Sequence, residues 1–211
     1  MDDGVEVAFC ADDKVLAAAD SSRVKLVDAG SDEVIQVTEV GRDVIWSVEF
    51  SPDGKLLVVR SFFRPEVTVL DGELVAEITR LSGHTKGGLS LAFSPDGKLL
   101  AAGTLNTGTV TVWDTGDWGV RYTMEMDTGL TLRGGNVVVG VDDLDFSSDG
   151  KFLATAGYDG RIRLWDPLTG ADLGLANAYD DAAFSVTFNL DGKILASAGF
   201  TGEVVVVGVC P

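Results

Sequence analysis

A six-residue phrase that returns five times along the chain leaves few folds open to it. It stands as Phe50-Ser51-Pro52-Asp53-Gly54-Lys55 and again as Phe93-Ser94-Pro95-Asp96-Gly97-Lys98. Altered copies read Phe146-Ser147-Ser148-Asp149-Gly150-Lys151 and Phe188-Asn189-Leu190-Asp191-Gly192-Lys193, and the most altered comes first, Phe9-Cys10-Ala11-Asp12-Asp13-Lys14. The successive phenylalanines lie 41, 43, 53 and 42 residues apart. A period near forty marks an array of small units, none of which can bury its apolar faces alone.

Residues 141–180 show what one unit contains. Val141 to Phe146 reads as a strand, and Ser147-Ser148-Asp149-Gly150 as a tight turn, since aspartate followed by glycine supplies the positive φ a short hairpin needs. Phe152–Ala156 is a second strand closed by Tyr158-Asp159-Gly160; Arg161–Trp165 is a third, apolar at alternate positions. Asp166-Pro167-Leu168-Thr169-Gly170 turns the chain into a fourth strand ending at about Leu175. The other units predict strands at 5–9, 15–19, 23–27 and 33–37; at 44–50, 56–61, 66–70 and 73–79; at 88–93, 99–103, 109–113 and 120–126; and at 183–188, 194–198 and 203–207, the last unit lacking a fourth. No helix-period segment of useful length occurs. The longer interval after the third unit falls on Asp127–Gly140, a glycine-rich stretch that reads as an enlarged loop. Small meander sheets with two apolar faces must be sandwiched between neighbours, and radial stacking meets that demand. The expected fold is all-β: one β-propeller domain over 1–211, with blades at about 1–42, 43–86, 87–135, 136–180 and 181–211.

With 45% hydrophobic residues, the 211-residue chain can build a continuous core. Its 16 basic and 33 acidic side chains leave a net charge of −17, which repels nucleic acid and anionic membrane surfaces and suits a basic partner or a solvated surface. Cys10 and Cys210 are the only cysteines, so no disulfide framework is expected and both read as free thiols. Met1-Asp2-Asp3-Gly4 opens the chain without an apolar h-region, and no apolar run is long enough to span a membrane; a cytoplasmic location is expected.

At Val112-Trp113-Asp114 and Leu164-Trp165-Asp166 the chain resembles a WD40-repeat protein, with Gly83-His84 matching that family's Gly-His before the first strand of a repeat. The resemblance covers essentially the entire chain. It implies a non-catalytic scaffold for protein–protein interaction, without cofactor. It also implies a hydrogen-bonded tetrad of histidine, a second-strand hydroxyl, a turn aspartate and the third-strand tryptophan. No unit here keeps all four: the fourth has Thr155, Asp159 and Trp165 with Asp166 following, and the third has His84, Trp113 and Asp114 but Ala102 in place of the hydroxyl. Three arrangements meet the blade count: a five-bladed ring, an open arc that would self-associate through its terminal blades, and a fragment of a longer propeller.

Catalytic chemistry finds little to stand on. His84 is the one histidine and sits where the family uses it structurally; one histidine and two scattered cysteines lack metal-ligand spacing. Asp142-Asp143 with Asp145, and Asp180-Asp181, lack the loop pattern of a calcium site and read as solvated loop charge. A propeller hydrolase with a channel site is the competing reading, and it would need several acids or histidines to converge there. An interaction face is better supplied. Phe62, Phe63 and Arg64, Leu105, Tyr158 and Phe200 occupy the second-to-third turns. Trp46, Leu89 and Phe184 stand four residues before their unit's phenylalanine, where the fourth unit has Asp142. Aromatics beside an arginine are the residue types that anchor protein interfaces, so a protein or peptide partner is expected there.

Overall fold

The computed structural model describes residues 6–10, 12–61, 63–82, 88–104, 107–126, 131–133, 136–138 and 140–209, with backbone alone at 88, 89, 131–133 and 136–138. The chain divides into two compact units, Met1–Gly87 and Gly88–Pro211.

The first unit holds two four-stranded antiparallel sheets in simple sequence order. One is β1 (Glu6–Phe9), β2 (Val15–Asp20), β3 (Arg23–Asp28) and β4 (Val34–Glu39); the other is β5 (Ile45–Phe50), β6 (Leu56–Ser61), β7 (Val67–Asp71) and β8 (Glu77–Leu81). Ala17, Ala19, Val24 and Leu26 of the first blade meet Ile45, Val48, Phe50, Leu57 and Val59 of the second in one buried cluster. Alternation along a strand sends every second side chain to that face, and each leucine, isoleucine or valine buried there contributes about 1.5–3 kcal/mol.

The second unit adds β9 (Gly88–Phe93), β10 (Leu99–Thr104), β11 (Thr109–Asp114) and β12 (Val120–Glu125), then β15 (Val141–Phe146), β16 (Leu153–Gly157), β17 (Arg161–Trp165) and β18 (Asp172–Ala178). Its last sheet has three strands, β19 (Ala183–Phe188), β20 (Ile194–Gly199) and β21 (Val204–Gly208). Five antiparallel sheets of WD-repeat blade type, four of four strands and one of three, are therefore present, and no helix occurs among the described residues.

Two expectations need correction. The interval Asp127–Gly140 contains a short antiparallel hairpin, β13 (Thr131–Arg133) with β14 (Asn136–Val138), rather than a plain loop. Strand β8 begins at Glu77, four residues later than the alternation suggested, because the turn before it takes more chain. There Asp71 Oδ1 accepts the N–H groups of Glu73 (2.9 Å) and Leu74 (2.8 Å), and Val75 sits at φ 50°.

The repeated phrase builds one hydrogen-bonded turn. In blade 4, Ser147 Oγ donates to Asp149 Oδ1 (2.8 Å) and accepts the N–H of Phe152 (2.9 Å), while Asp149 Oδ1 also accepts the N–H of Lys151 (3.1 Å). Ser51–Asp53 and Ser94–Asp96 repeat the pattern, and in blade 5 Asn189 replaces the serine. These bonds hold the aspartates ionised: Asp53 falls to about 2, chiefly through Ser51. The glycine position requires positive φ, +72° at Gly54, and in blade 1 Asp13 adopts it at 57° without being glycine.

The Trp-Asp pairs have a structural use. Trp165, nearly buried, donates from Nε1 to Thr155 Oγ1 (2.9 Å), and Thr155 Oγ1 donates to Met126 Sδ (3.5 Å). Asp159 forms a buried pair with Arg163 (2.8 Å). Trp113 is fully buried, and Asp114 and Asp166 cap the third-to-fourth turns by accepting N–H groups from Gly116 (2.9 Å) and Leu168 (2.8 Å). His84 lies outside the described residues.

Candidate interaction surface

At the end opposite the Ser-Asp turns, the first strand of blades 2, 4 and 5 carries one residue too many. Pairing between β5 and β6 runs Ile45 to Ser61 and then Ser47 to Arg60, leaving Trp46 unmatched. Between β15 and β16 the residue left over is Asp142, and between β19 and β20 it is Phe184. The register between β9 and β10 also shifts at this level, between Ala102 and Thr104. The cause lies in the packing: Ile45 and Val48, Val141 and Leu144, and Ala183 and Val186 are all buried although they stand three residues apart. Strict alternation would send the two members of each pair to opposite faces of the sheet, yet each pair packs into one cluster. A β-bulge absorbs the extra residue and re-aims its side chain.

In the second unit the bulge serves an aromatic cluster. The Tyr158 and Phe184 rings meet edge to face with centroids 5.7 Å apart, and Phe184 meets Phe200 the same way at 5.5 Å. The turns that carry them are anchored by backbone bonds, Tyr158 N–H to Gly140 O (3.0 Å) and Phe200 N–H to Ala182 O (2.9 Å). Tyr158 and Phe184 are half-buried and Phe200 is 52% exposed. Edge-to-face pairs stabilise one another by about 0.5–1.5 kcal/mol, so the cluster is preorganised. In the first unit Trp46 and Phe63 are exposed, and Arg64 pairs with the Asp43 carboxylate. Phe62, Leu105 and the Leu89 side chain lie outside the described residues.

The acidic run beside this cluster is not solvated loop charge. Asp142, Asp143 and Asp145 lie in β15, all half-buried. Asp143 Oδ2 accepts Ser185 Oγ and the N–H of Val186, each at 3.0 Å; Asp145 Oδ2 accepts Thr187 Oγ1 (3.1 Å) and the N–H of Phe188 (2.7 Å). Two carboxylates thus clasp the first strand of blade 5 to that of blade 4. Burial raises all three carboxyl groups, Asp142 to about 6 with help from the Asp143 charge, while the bonds from β19 pull Asp143 and Asp145 part of the way back. The sequence did carry a signal for the bulge, buried positions spaced three and then two apart, which alternation alone overlooks.

Among the described residues no three His, Cys, Asp or Glu side chains are placed to hold a metal ion, and Cys10 is a free thiol. Open clefts of about 540 and 550 Å³ lie at the Ser-Asp-turn end, one in each unit. Their turn aspartates Asp96, Asp149 and Asp53 are already engaged by serines. Residues 75–114 and 130–166 match the family model of the WD domain, G-beta repeat, and each match ends on a Trp-Asp pair. No curated protein matches the chain.

Proposed function

This chain is a WD40-repeat protein, a family of interaction scaffolds that are typically not enzymes, and we propose that it binds a protein partner through the bulge end of blades 4 and 5. The observation that carries this reading is the Tyr158–Phe184–Phe200 cluster, a preorganised aromatic surface with Phe200 half in water. Rigid aromatic side chains lose little rotamer entropy on contact and dominate binding energy where they become buried.

Charge supports a basic segment as the partner. Asp142, Asp159, Asp180, Asp181 and Glu203 lie at this end against Arg161 and Arg163, and Arg163 is taken up by Asp159. Such a field steers a cationic chain inward and repels an acidic one.

Capture of partners from a lysate by the wild type and by a Tyr158→Ser/Phe200→Ser double variant tests the surface. The proposal expects a retained protein that the variant loses while its thermal melt stays close to wild type. Equal capture by both would remove the aromatic cluster from the reading. Self-association is a second reading, supported by Val204 and Val206 on the uncharged strand β21, 70% and 63% exposed. Light scattering over a range of concentration tests it, since a mass constant at one chain would end it.

A further inference from the structure

The bulge position is aromatic at Trp46 and Phe184, yet at Asp142 the same device presents a carboxylate. The carboxylate clasp sets β15 and β19 in register: Asp143 meets Ser185 and Val186, and Asp145 meets Thr187 and Phe188. One step back along both strands, Asp142 stands level with Phe184, whose ring is the middle member of the aromatic cluster. The strands packed against β15 are β9, β10, β16 and β19, and none of them carries a charged side chain. The remaining charges at this end are Asp143 and Asp145 on β15 itself, Asp159 paired with Arg163, Arg161, Asp180, Asp181 and Glu203. Asp142 is thus a half-buried carboxylate at the level of Phe184 in the strand register, with no charged side chain on the strands packed against its own.

Resting on the surface reading above, we propose that Asp142 is the specificity-determining residue of this surface, receiving a lysine ammonium or arginine guanidinium of the bound segment. A buried carboxylate without a counter-charge destabilises its own fold, and a cationic ligand relieves that cost on binding. The raised carboxyl, at about 6, means that mild acid neutralises the group and releases such a ligand. Phe184 beside it offers a ring edge and face to the aliphatic stem of the same side chain.

The test uses two probes, a fluorescent hexapeptide of alternating lysine and leucine and the same peptide with its lysines acetylated, titrated into four proteins. These are the wild type, Asp142→Asn, Phe184→Ala, and Glu33→Gln, which removes the same charge from an exposed site in the other unit. The expected result at pH 7.5 is binding of the unmodified peptide alone, weakened about tenfold by Asp142→Asn and unchanged by Glu33→Gln. Taking the wild type from pH 7.5 to 5 should lose affinity, and Asp142→Asn should show no such loss. Equal effects of Asp142→Asn and Glu33→Gln would reduce the interaction to the general field and overturn the proposal, as would no binding at millimolar peptide. If Phe184→Ala weakens binding while Asp142→Asn does not, the surface stands and the role of Asp142 falls. If Phe184→Ala binds as the wild type does, the surface reading itself fails. Thermal melts of each variant confirm the fold, and Asp142→Asn should melt no lower than wild type.

Discussion

The two ends of a blade use aspartate in opposite ways. At the Ser-Asp turns the carboxylate is exposed, accepts bonds from a serine and a backbone N–H, and sits below its usual range, about 2 at Asp53. At the bulge end Asp142 is half-buried and raised to about 6. The first arrangement stabilises the chain near neutral pH and recurs in blade after blade; the second costs stability and occurs at one bulge. Repetition within one chain marks what every blade needs in order to fold. A departure that costs stability is the place to look for binding, because ionisable groups are displaced from their ordinary range where a site requires it.

Frame and surface can be separated within one turn. Asp159, next to Tyr158 in the chain, forms a pair with Arg163 whose side chains are 8% and 5% exposed respectively. Asp159→Ala leaves the arginine without that carboxylate and should cost about 3–5 kcal/mol in urea unfolding. Phe200→Ser, at the exposed edge of the same end, should stay within about 1 kcal/mol. Similar losses from the two would make the aromatic cluster part of the core.

Next in size is the opposite end. Ser147 is fully buried and makes two side-chain bonds, so Ser147→Ala should cost about 1–3 kcal/mol. Asn189, the exposed residue at the equivalent place in blade 5, should cost less than about 1 kcal/mol when replaced by alanine. A reversal of that order would separate the value of the turn from burial.

A pH series reads both ends at once. The folded chain holds the Asp142 proton more tightly than the unfolded chain, so this contribution to stability is full below about pH 4 and is lost as pH rises through about 6. Asp143 and Asp145 are raised in the same direction. Asp53 works the other way, its contribution present above about pH 4 and lost as pH falls toward 2. Melting temperature should therefore peak in mild acid and decline toward neutrality. Asp142→Asn should flatten the neutral side and leave the acid side alone. A melting temperature that rises steadily to pH 7 in the wild type would mean the β15 carboxylates are better solvated than their setting implies.

The turn end was legible in the sequence because its causes are local. Ser147, Asp149 and Phe152 lie within six residues, and the same bonds follow wherever those residue types recur. The strand order was legible for the same reason, tight turns leaving the meander no alternative. The bulges left only a spacing of apolar positions that strict alternation passes over, since Asp142 and Phe184 are displaced by a demand from the next sheet, the burial of Val141 with Leu144 and of Ala183 with Val186. The carboxylate clasp was hidden likewise: Asp143 and Asp145 meet partners some forty residues away, and only the blade-to-blade register reveals that they match. Tyr158, Phe184 and Phe200 could each be named as surface candidates, but their meeting depends on that register too.

Smallest in expected effect is a change that tests whether the turn end carries any purpose beyond folding. Asp13 holds φ 57° where its counterpart Gly54 holds 72°, a conformation that penalises any side chain with a Cβ. Its neighbour Asp12 already accepts the Lys14 N–H at 3.1 Å, so the turn keeps its side-chain bond without Asp13. Asp13→Gly should stabilise the chain by about 0.5–1 kcal/mol: aspartate tolerates the left-handed region better than most residues, and glycine gives back part of the gain as unfolded-state entropy. Binding at the bulge end should not move, as measured with the lysine–leucine peptide. A stabilised chain with unchanged affinity would assign the turns to folding and the bulges to recognition. If affinity fell along with the rise in stability, the two ends would be coupled, and the division of labour drawn from their aspartates would have to be given up.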